Sequence, residues 1–209
     1  MNAPSPARRG CLYVIAAPSG AGKTSLVKAV LARDPALRVS ISHTTRKPRE
    51  NERDGEHYHF VGVDEFNRLV AAGEFLEHAQ VFDNYYGTSR RGVEALRAAG
   101  HDVILEIDWQ GARQVRKAQP DCRSIFILPP SRQSLEERLR NRRTDSEDVI
   151  QRRLRDSMAD MSHFAEFDQV VVNDDFESAV SHLLEIIRGG GGYEPGRPAL
   201  KPLLGELLG

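Results

Sequence analysis

The sequence predicts an α/β fold: a parallel sheet flanked by helices, with a small mixed α/β subdomain inserted and a helical, arginine-rich segment in the second half. Three observations predict it. Short continuous apolar runs recur along the chain, each followed by a stretch with helical character. Those runs are apolar throughout rather than alternating, as strands buried on both faces are. Between about residues 37 and 93 the texture changes to polar loops and short alternating pieces.

Taken in order, LYVIA at 12–16 is aliphatic and β-branched, turn residues follow it, and a helix is expected over about 23–33. HDVILEID at 101–108 leads into WQGARQVRK, RSIFIL at 123–128 into a helix from about residue 131, and QVVV at 169–172 into a helix over 176–188. Inside 37–93 the recognisable pieces are HYHF at 57–60, one short helix near 64–72 and the strand-like EFLEHAQVF. Segment 132–155 holds eight arginines and five acidic residues on what reads as two helices joined at 143–146. These pieces read as one domain over 11–188, with a core of 11–36, 94–130 and 156–188, an insert of 37–93 and a helical segment of 131–155. Residues 1–10 are expected to be flexible. The Gly/Pro-rich residues 189–209 are expected to be mobile, although their leucines could dock as a final short helix.

A chain of 209 residues can bury a core without metal or disulfide staples. A formal charge of −1 with 28% charged residues gives no global field toward nucleic acid or an anionic membrane, so neither is expected as a partner. The oligomeric state is not legible. Cys11 and Cys122 match no metal or redox spacing and read as small buried or half-buried thiols in a reducing compartment. No apolar stretch near the N-terminus is long enough for a signal or membrane segment, and the expected location is the cytoplasm.

Ala17-Pro18-Ser19-Gly20-Ala21-Gly22-Lys23-Thr24 stands between the first strand and the first helix, with Ser25 next in that helix. In this context Gly20 and Gly22 let backbone N–H groups converge on phosphate oxygens, and the helix N-terminus adds its dipole. Lys23 can reach the β- and γ-phosphates of a nucleotide, and the Thr24 hydroxyl is placed to ligate Mg²⁺. The loop starts on Ala17, where the strict pattern has glycine. It implies a nucleotide, not a reaction.

The series Ser42-His-Thr-Thr-Arg-Lys-Pro-Arg49, Gly55-Glu-His-Tyr58, Glu77, Asn84-Tyr-Tyr-Gly-Thr88 and Asp108-Trp-Gln-Gly111 resembles guanylate kinases of the bacterial type, within the P-loop nucleoside monophosphate kinases. The resemblance runs in order from about residue 11 to 188. It implies a P-loop kinase core, a GMP-binding subdomain over 37–93 and a lid over 131–155. The implied reaction moves the γ-phosphate of Mg-ATP onto GMP, and onto dGMP, to give ADP and GDP.

A physical reading of the residues agrees. Pro48 disfavours helix at Lys47, so Arg46 and Arg49 sit three apart in an extended or turn segment, where two guanidinium forks can grip one phosphate. By the resemblance Tyr58 and Tyr86 reach the same phosphate; without it, packing of a small subdomain explains them as well. A carboxylate at Glu77 in a strand-like stretch is costly unless it faces guanine, whose N1–H and 2-amine both donate, whereas adenine has an acceptor at N1. Ser42 and Thr88 match positions near the base, and each could equally be a turn or cap hydroxyl. Glu106 and Asp108 end an apolar strand where open α/β sheets bind ligands. The resemblance puts Asp108 near guanine and Glu106 near metal-bound water.

In the second half, Arg138 and Arg142 are i, i+4 on one helical face and correspond to lid arginines over the ATP phosphates, with Arg153 a third. Lys23, Arg138, Arg142 and Arg153 are therefore the expected catalytic set. Arg132, Arg140, Arg152 and Arg155 read as solvated or paired, with Glu136–Arg140 and Asp148–Arg152 as the expected pairs, and Arg143 stands where the family often has glycine. Asn173 corresponds to a residue near adenine, or is a strand-end turn residue. Three rival readings are a catalytically silent protein-binding module of the same fold, a phosphate-loop kinase for AMP or dTMP, and a nucleic-acid binder using the arginine segment. The cationic set argues against the first and Glu77 with Ser42 against the second. The third lacks interleaved aromatics.

Overall fold

The structure, a computed structural model, describes residues 8–81, 83–141, 147–192 and 194–208. In chain order the strands are β1 (Leu12–Ala16), β2 (Leu37–Val39), β3 (His43–Thr44), β4 (His59–Phe60), β5 (Phe75–Val81), β6 (Asn84–Ser89), β7 (Asp102–Glu106), β8 (Arg123–Leu128) and β9 (Gln169–Val172). The helices are α1 (Lys23–Arg33), α2 (Val63–Ala71), α3 (Arg90–Ala98), α4 (Trp109–Ala118), α5 (Arg132–Arg140), α6 (Glu147–Met161), α7 (Phe176–Ile187) and α8 (Lys201–Leu208). One sheet has the order β2-β7-β1-β8-β9 and a smaller one β4-β3-β6-β5. No helix among the described residues is long and apolar enough to cross a membrane.

The apolar runs become the central strands for the reason that made them visible. All five residues of β1 are buried, as are the last five of β8. By contact the chain divides into two compact units, Met1–Val14 with Pro35–Arg123, and Ile15–Asp34 with Ser124–Gly209.

In the first unit β2 runs parallel to β7, Leu37 opposite Asp102. In the small sheet β3 pairs parallel with β4 and antiparallel with β6, and β6 pairs antiparallel with β5. An irregularity in register between Phe75 and Glu77 adds one residue to β5 immediately before Glu77. Phe66 of α2 packs on Phe75 and Tyr85, with ring centroids 4.8 and 5.6 Å away, which fastens α2 to this sheet. Of the expected piece HYHF only His59 and Phe60 form a strand. α3, which sequence reasoning did not mark, crosses the expected boundary at 93/94.

Residues 1–7 of the expected flexible N-terminus lie outside the described residues. Arg8 and Arg9, in contrast, pair with Asp102 and Glu94 at 2.8 and 2.7 Å. Gly10 accepts from Arg97 Nε at 2.9 Å, and Arg97, 2% exposed, also donates to Gln119 and to Asp121.

In the second unit β8 and β9 run parallel, Ile125 opposite Gln169 through Leu128 opposite Val172. α1 packs on α7, and α5, α6 and α8 form a helical group. The Gly/Pro-rich tail ends in α8, with Leu200 and Leu207 buried and Arg132 donating to the Leu207 carbonyl at 3.0 Å. Cys11 and Cys122 are half-buried thiols.

Replacing Arg97 by Ala should lower unfolding free energy by about 2–4 kcal/mol, through lost packing and a stranded Gly10 carbonyl, as read by a urea titration. Asp121 is 60% exposed, so Asp121→Asn should cost less than about 1 kcal/mol. The Arg97 hydrogen bond holds the Asp121 carboxyl below its ordinary 3.8. That small contribution is therefore present above pH 3.8 and lost as pH falls through the lower folded value.

Candidate active site

The phosphate loop belongs to the second unit. Gly20 and Gly22 adopt φ of 89° and 94°, left-handed values that side chains resist. A Cβ on Gly22 would stand 2.4 Å from Asn173 Nδ2, so this glycine is also needed for close approach. Gly22 is the N-cap of α1 and caps it with no side chain. The first-turn N–H groups of Lys23, Thr24 and Ser25 thus point along the axis at the loop, with the helix dipole behind them. Lys23 is half-buried, while Thr24 and Ser25 are exposed. Thr24, at the second position of α1, offers a neutral oxygen suited to a hard cation.

Three contacts hold the loop's backbone, and sequence reasoning foresaw none of them. Asn173, 4% exposed at the end of β9, donates Nδ2 to the Ala21 carbonyl at 2.7 Å. Arg138 donates to the Ala21 carbonyl at 3.3 Å and to the Asn173 carbonyl at 2.9 Å. Ser157 of α6 donates to the Ser19 carbonyl at 3.1 Å, and Leu135 and Leu139 of α5 crowd the place a Gly20 Cβ would take. Asn173 therefore commits one of its two amide N–H donors to the loop. Ala17 is half-buried and Pro18 buried at the loop's entry. Arg153 is half-buried on α6, one turn before Ser157. Arg142 and Arg143 lie outside the described residues. The pair Glu136–Arg140 forms at 2.7 Å and Arg140 also reaches Glu147, whereas Arg152 lies 3.9 Å from Asp156.

The other group of expected residues lies in the first unit. Glu77, on β5, is 3% exposed. Its Oε1 accepts from the Thr88 hydroxyl at 2.5 Å, and the Thr88 oxygen lies 3.3 Å from Ser42 Oγ, so the three form one chain. Its Oε2 lies 2.5 Å from where Gly111 of α4 would carry a Cβ. Asp108 differs from its expected place on a strand: β7 ends at Glu106, and Asp108 is the N-cap of α4, accepting from Gly111 N at 2.8 Å. A carboxylate two residues past the strand satisfies a helix donor, which the apolar run could not reveal.

Arg46 and Arg49 lie in an irregular segment around Pro48, as expected. Their organiser is Glu52: one oxygen accepts from Arg46 Nη2 at 2.9 Å, the other from the Arg49 backbone at 2.8 Å. Burial opposes the Glu52 charge, but the hydrogen bonds from Arg46 and the Arg49 N–H outweigh it and hold the carboxyl below its usual range. Arg46 also donates to the Lys47 carbonyl and lies 5.5 Å over the Tyr58 ring. Tyr58 and Tyr86 meet edge to face at 6.0 Å. Burial, reinforced by the Glu106 carboxylate, pushes the Tyr58 hydroxyl up to about 12, so it remains a donor at neutral pH. The arrangement presents cations and hydroxyl donors to an anion, and separately a buried acceptor to a ligand with paired donors.

A sequence model of the family described as guanylate kinase matches residues 9–189. The guanylate kinase of Alkalilimnicola ehrlichii is 55% identical over 201 residues, 96% of this chain and 99% of that protein. That of Xanthomonas oryzae is 58% identical over 178 residues, 85% and 88% of the two chains. A crystal structure of guanylate kinase from Anaplasma phagocytophilum superposes with a TM-score of 0.73 at 33% identity, covering 94% of each chain. A family match running through both units, with relatives identical at more than half of the aligned positions, means that this chain belongs to the guanylate kinase family.

Proposed function

We propose that the protein transfers the γ-phosphate of ATP, taken as its magnesium complex, to GMP, and to dGMP as a second acceptor, giving ADP and the diphosphate. The observation that carries this is the buried Glu77 carboxylate, tied to Thr88 and Ser42 in the unit that holds the Arg46–Arg49 segment. A carboxylate with 3% of its surface exposed suits guanine, which offers N1–H and a 2-amine side by side. The assigned contacts reach base and phosphate rather than the ribose 2′-hydroxyl, hence dGMP.

The acceptor phosphate has a second pKa near 6, so at neutral pH its oxygen is largely ionised and needs no general base. Arg46, Arg49, Tyr58 and Tyr86 bind and aim it, with Asp108 near the base and Glu106 beside Tyr58. Lys23 and the loop N–H groups of 17–25 hold the ATP phosphates, and Arg138, Arg142 and Arg153 neutralise charge on the transferring group. Asn173 supports ATP binding through the loop it braces. Magnesium fits the residues present: Thr24 gives one hydroxyl oxygen, and this cation is ordinarily held by few protein oxygens together with substrate phosphates. When bound it offsets charge on the β- and γ-oxygens. In the same proposal 37–93 is the GMP-binding part, 131–155 the lid, and the place of work is the cytoplasm.

A coupled assay of ADP release with GMP, dGMP, AMP, UMP and dTMP should show turnover with the first two; turnover with AMP and none with GMP would overturn the proposal. Glu77→Gln puts an amide donor against guanine's donors and loses two bonds to a charged acceptor. It should cut kcat/KM for GMP by roughly 10²–10⁴-fold. Tyr58→Phe should raise KM for GMP about tenfold and leave KM for ATP unchanged in steady-state kinetics, because one hydroxyl donor is lost on the acceptor side only.

A further inference from the structure

The edge strand of the small sheet is closed by a side chain. β5 is last in the order β4-β3-β6-β5, and an edge strand leaves backbone groups unmatched. At His78, the residue after Glu77, the N–H donates to Gln114 Oε1 at 3.1 Å and the C=O accepts from Gln114 Nε2 at 2.7 Å. One carboxamide thus takes the place of a strand partner. Gln114 lies on α4 three residues after Gly111, which lies three after Asp108, so the three share one side of the helix. Gly111 is buried, and Glu77 Oε2 fills the space its Cβ would need, at 2.5 Å.

We propose that Gln114 and Gly111 are positioning residues for guanine selection: Gln114 fixes the height and rotation of β5 beside Glu77, and Gly111 leaves the gap its carboxylate occupies. The inference rests on the reading of Glu77 as the base acceptor. A two-point hydrogen bond restrains both sliding and twisting of β5, which a single bond or an apolar contact does not. The irregularity before Glu77 makes the restraint necessary, because the ladder to β6 is interrupted there. A carboxylate that must meet two donors at once tolerates little misplacement.

The test uses the full chain, with Gln114→Met retaining side-chain volume without hydrogen bonds and Gly111→Ala adding one methyl on a helix that favours alanine. Steady-state kinetics with GMP, AMP and ATP are paired with amide exchange at His78. For Gln114→Met the expected result is about a tenfold rise in KM for GMP and a similar fall in GMP-over-AMP discrimination. KM for ATP stays within about twofold, and His78 exchanges faster. Gly111→Ala should raise KM for GMP about tenfold or more with normal His78 exchange. Unchanged GMP kinetics despite faster His78 exchange would overturn the inference, leaving Gln114 as an edge cover. A joint rise in KM for GMP and ATP would overturn it too, by showing general loosening. Wild-type enzyme without GMP turnover would overturn the reading of the site, and this inference with it, independently of the variants.

Discussion

A carboxylate taken almost wholly out of water must be met by donors, and Glu77 is the group around which the first unit is arranged. Thr88, one strand away, donates to one oxygen, and Gly111 on α4 gives the other room. The irregularity in β5 immediately precedes Glu77, Gln114 bonds the residue after it, and Asp108 caps the helix that carries Gly111. In the proposed role burial would make the carboxylate selective, because a ligand that brings an acceptor to it supplies no donor to a desolvated charge.

The phosphate loop poses the complementary problem. Left-handed glycines expose N–H groups to an anion but leave the loop short of restraint. The restraint comes from carbonyls: Ala21 accepts from Asn173 and Arg138, and Ser19 from Ser157. Helices that carry the expected lid arginines are thereby bonded to the backbone that would hold the phosphates. If 131–155 moves as the proposed lid, the loop would feel it, since Arg138 is bonded to the Ala21 carbonyl.

What the sequence reveals follows from distance along the chain. β1 and α1 are legible to the residue, because an unbroken apolar run and a glycine loop are local signals. α3 is not, since Arg90-Arg-Gly-Val-Glu-Ala-Leu-Arg-Ala shows charge and an early glycine while burying Val93 and Arg97, a face hard to see when one of its members is an arginine. The groups proposed to meet ligands are named through motif order. Their supports are not: Ser157 meets Ser19 across 138 positions and Gln114 meets His78 across 36. Glu52, six residues from Arg46, was within local reach, and an acid placed after paired arginines was the available signal.

The direct test of Glu77 as a two-donor reader of guanine is a calorimetric titration of the wild-type protein with GMP, IMP and AMP. IMP keeps N1–H and lacks the 2-amine, so the predicted affinities fall in steps of about tenfold or more from GMP to IMP to AMP. Equal affinity for GMP and IMP, or AMP binding as tightly as GMP, would contradict it.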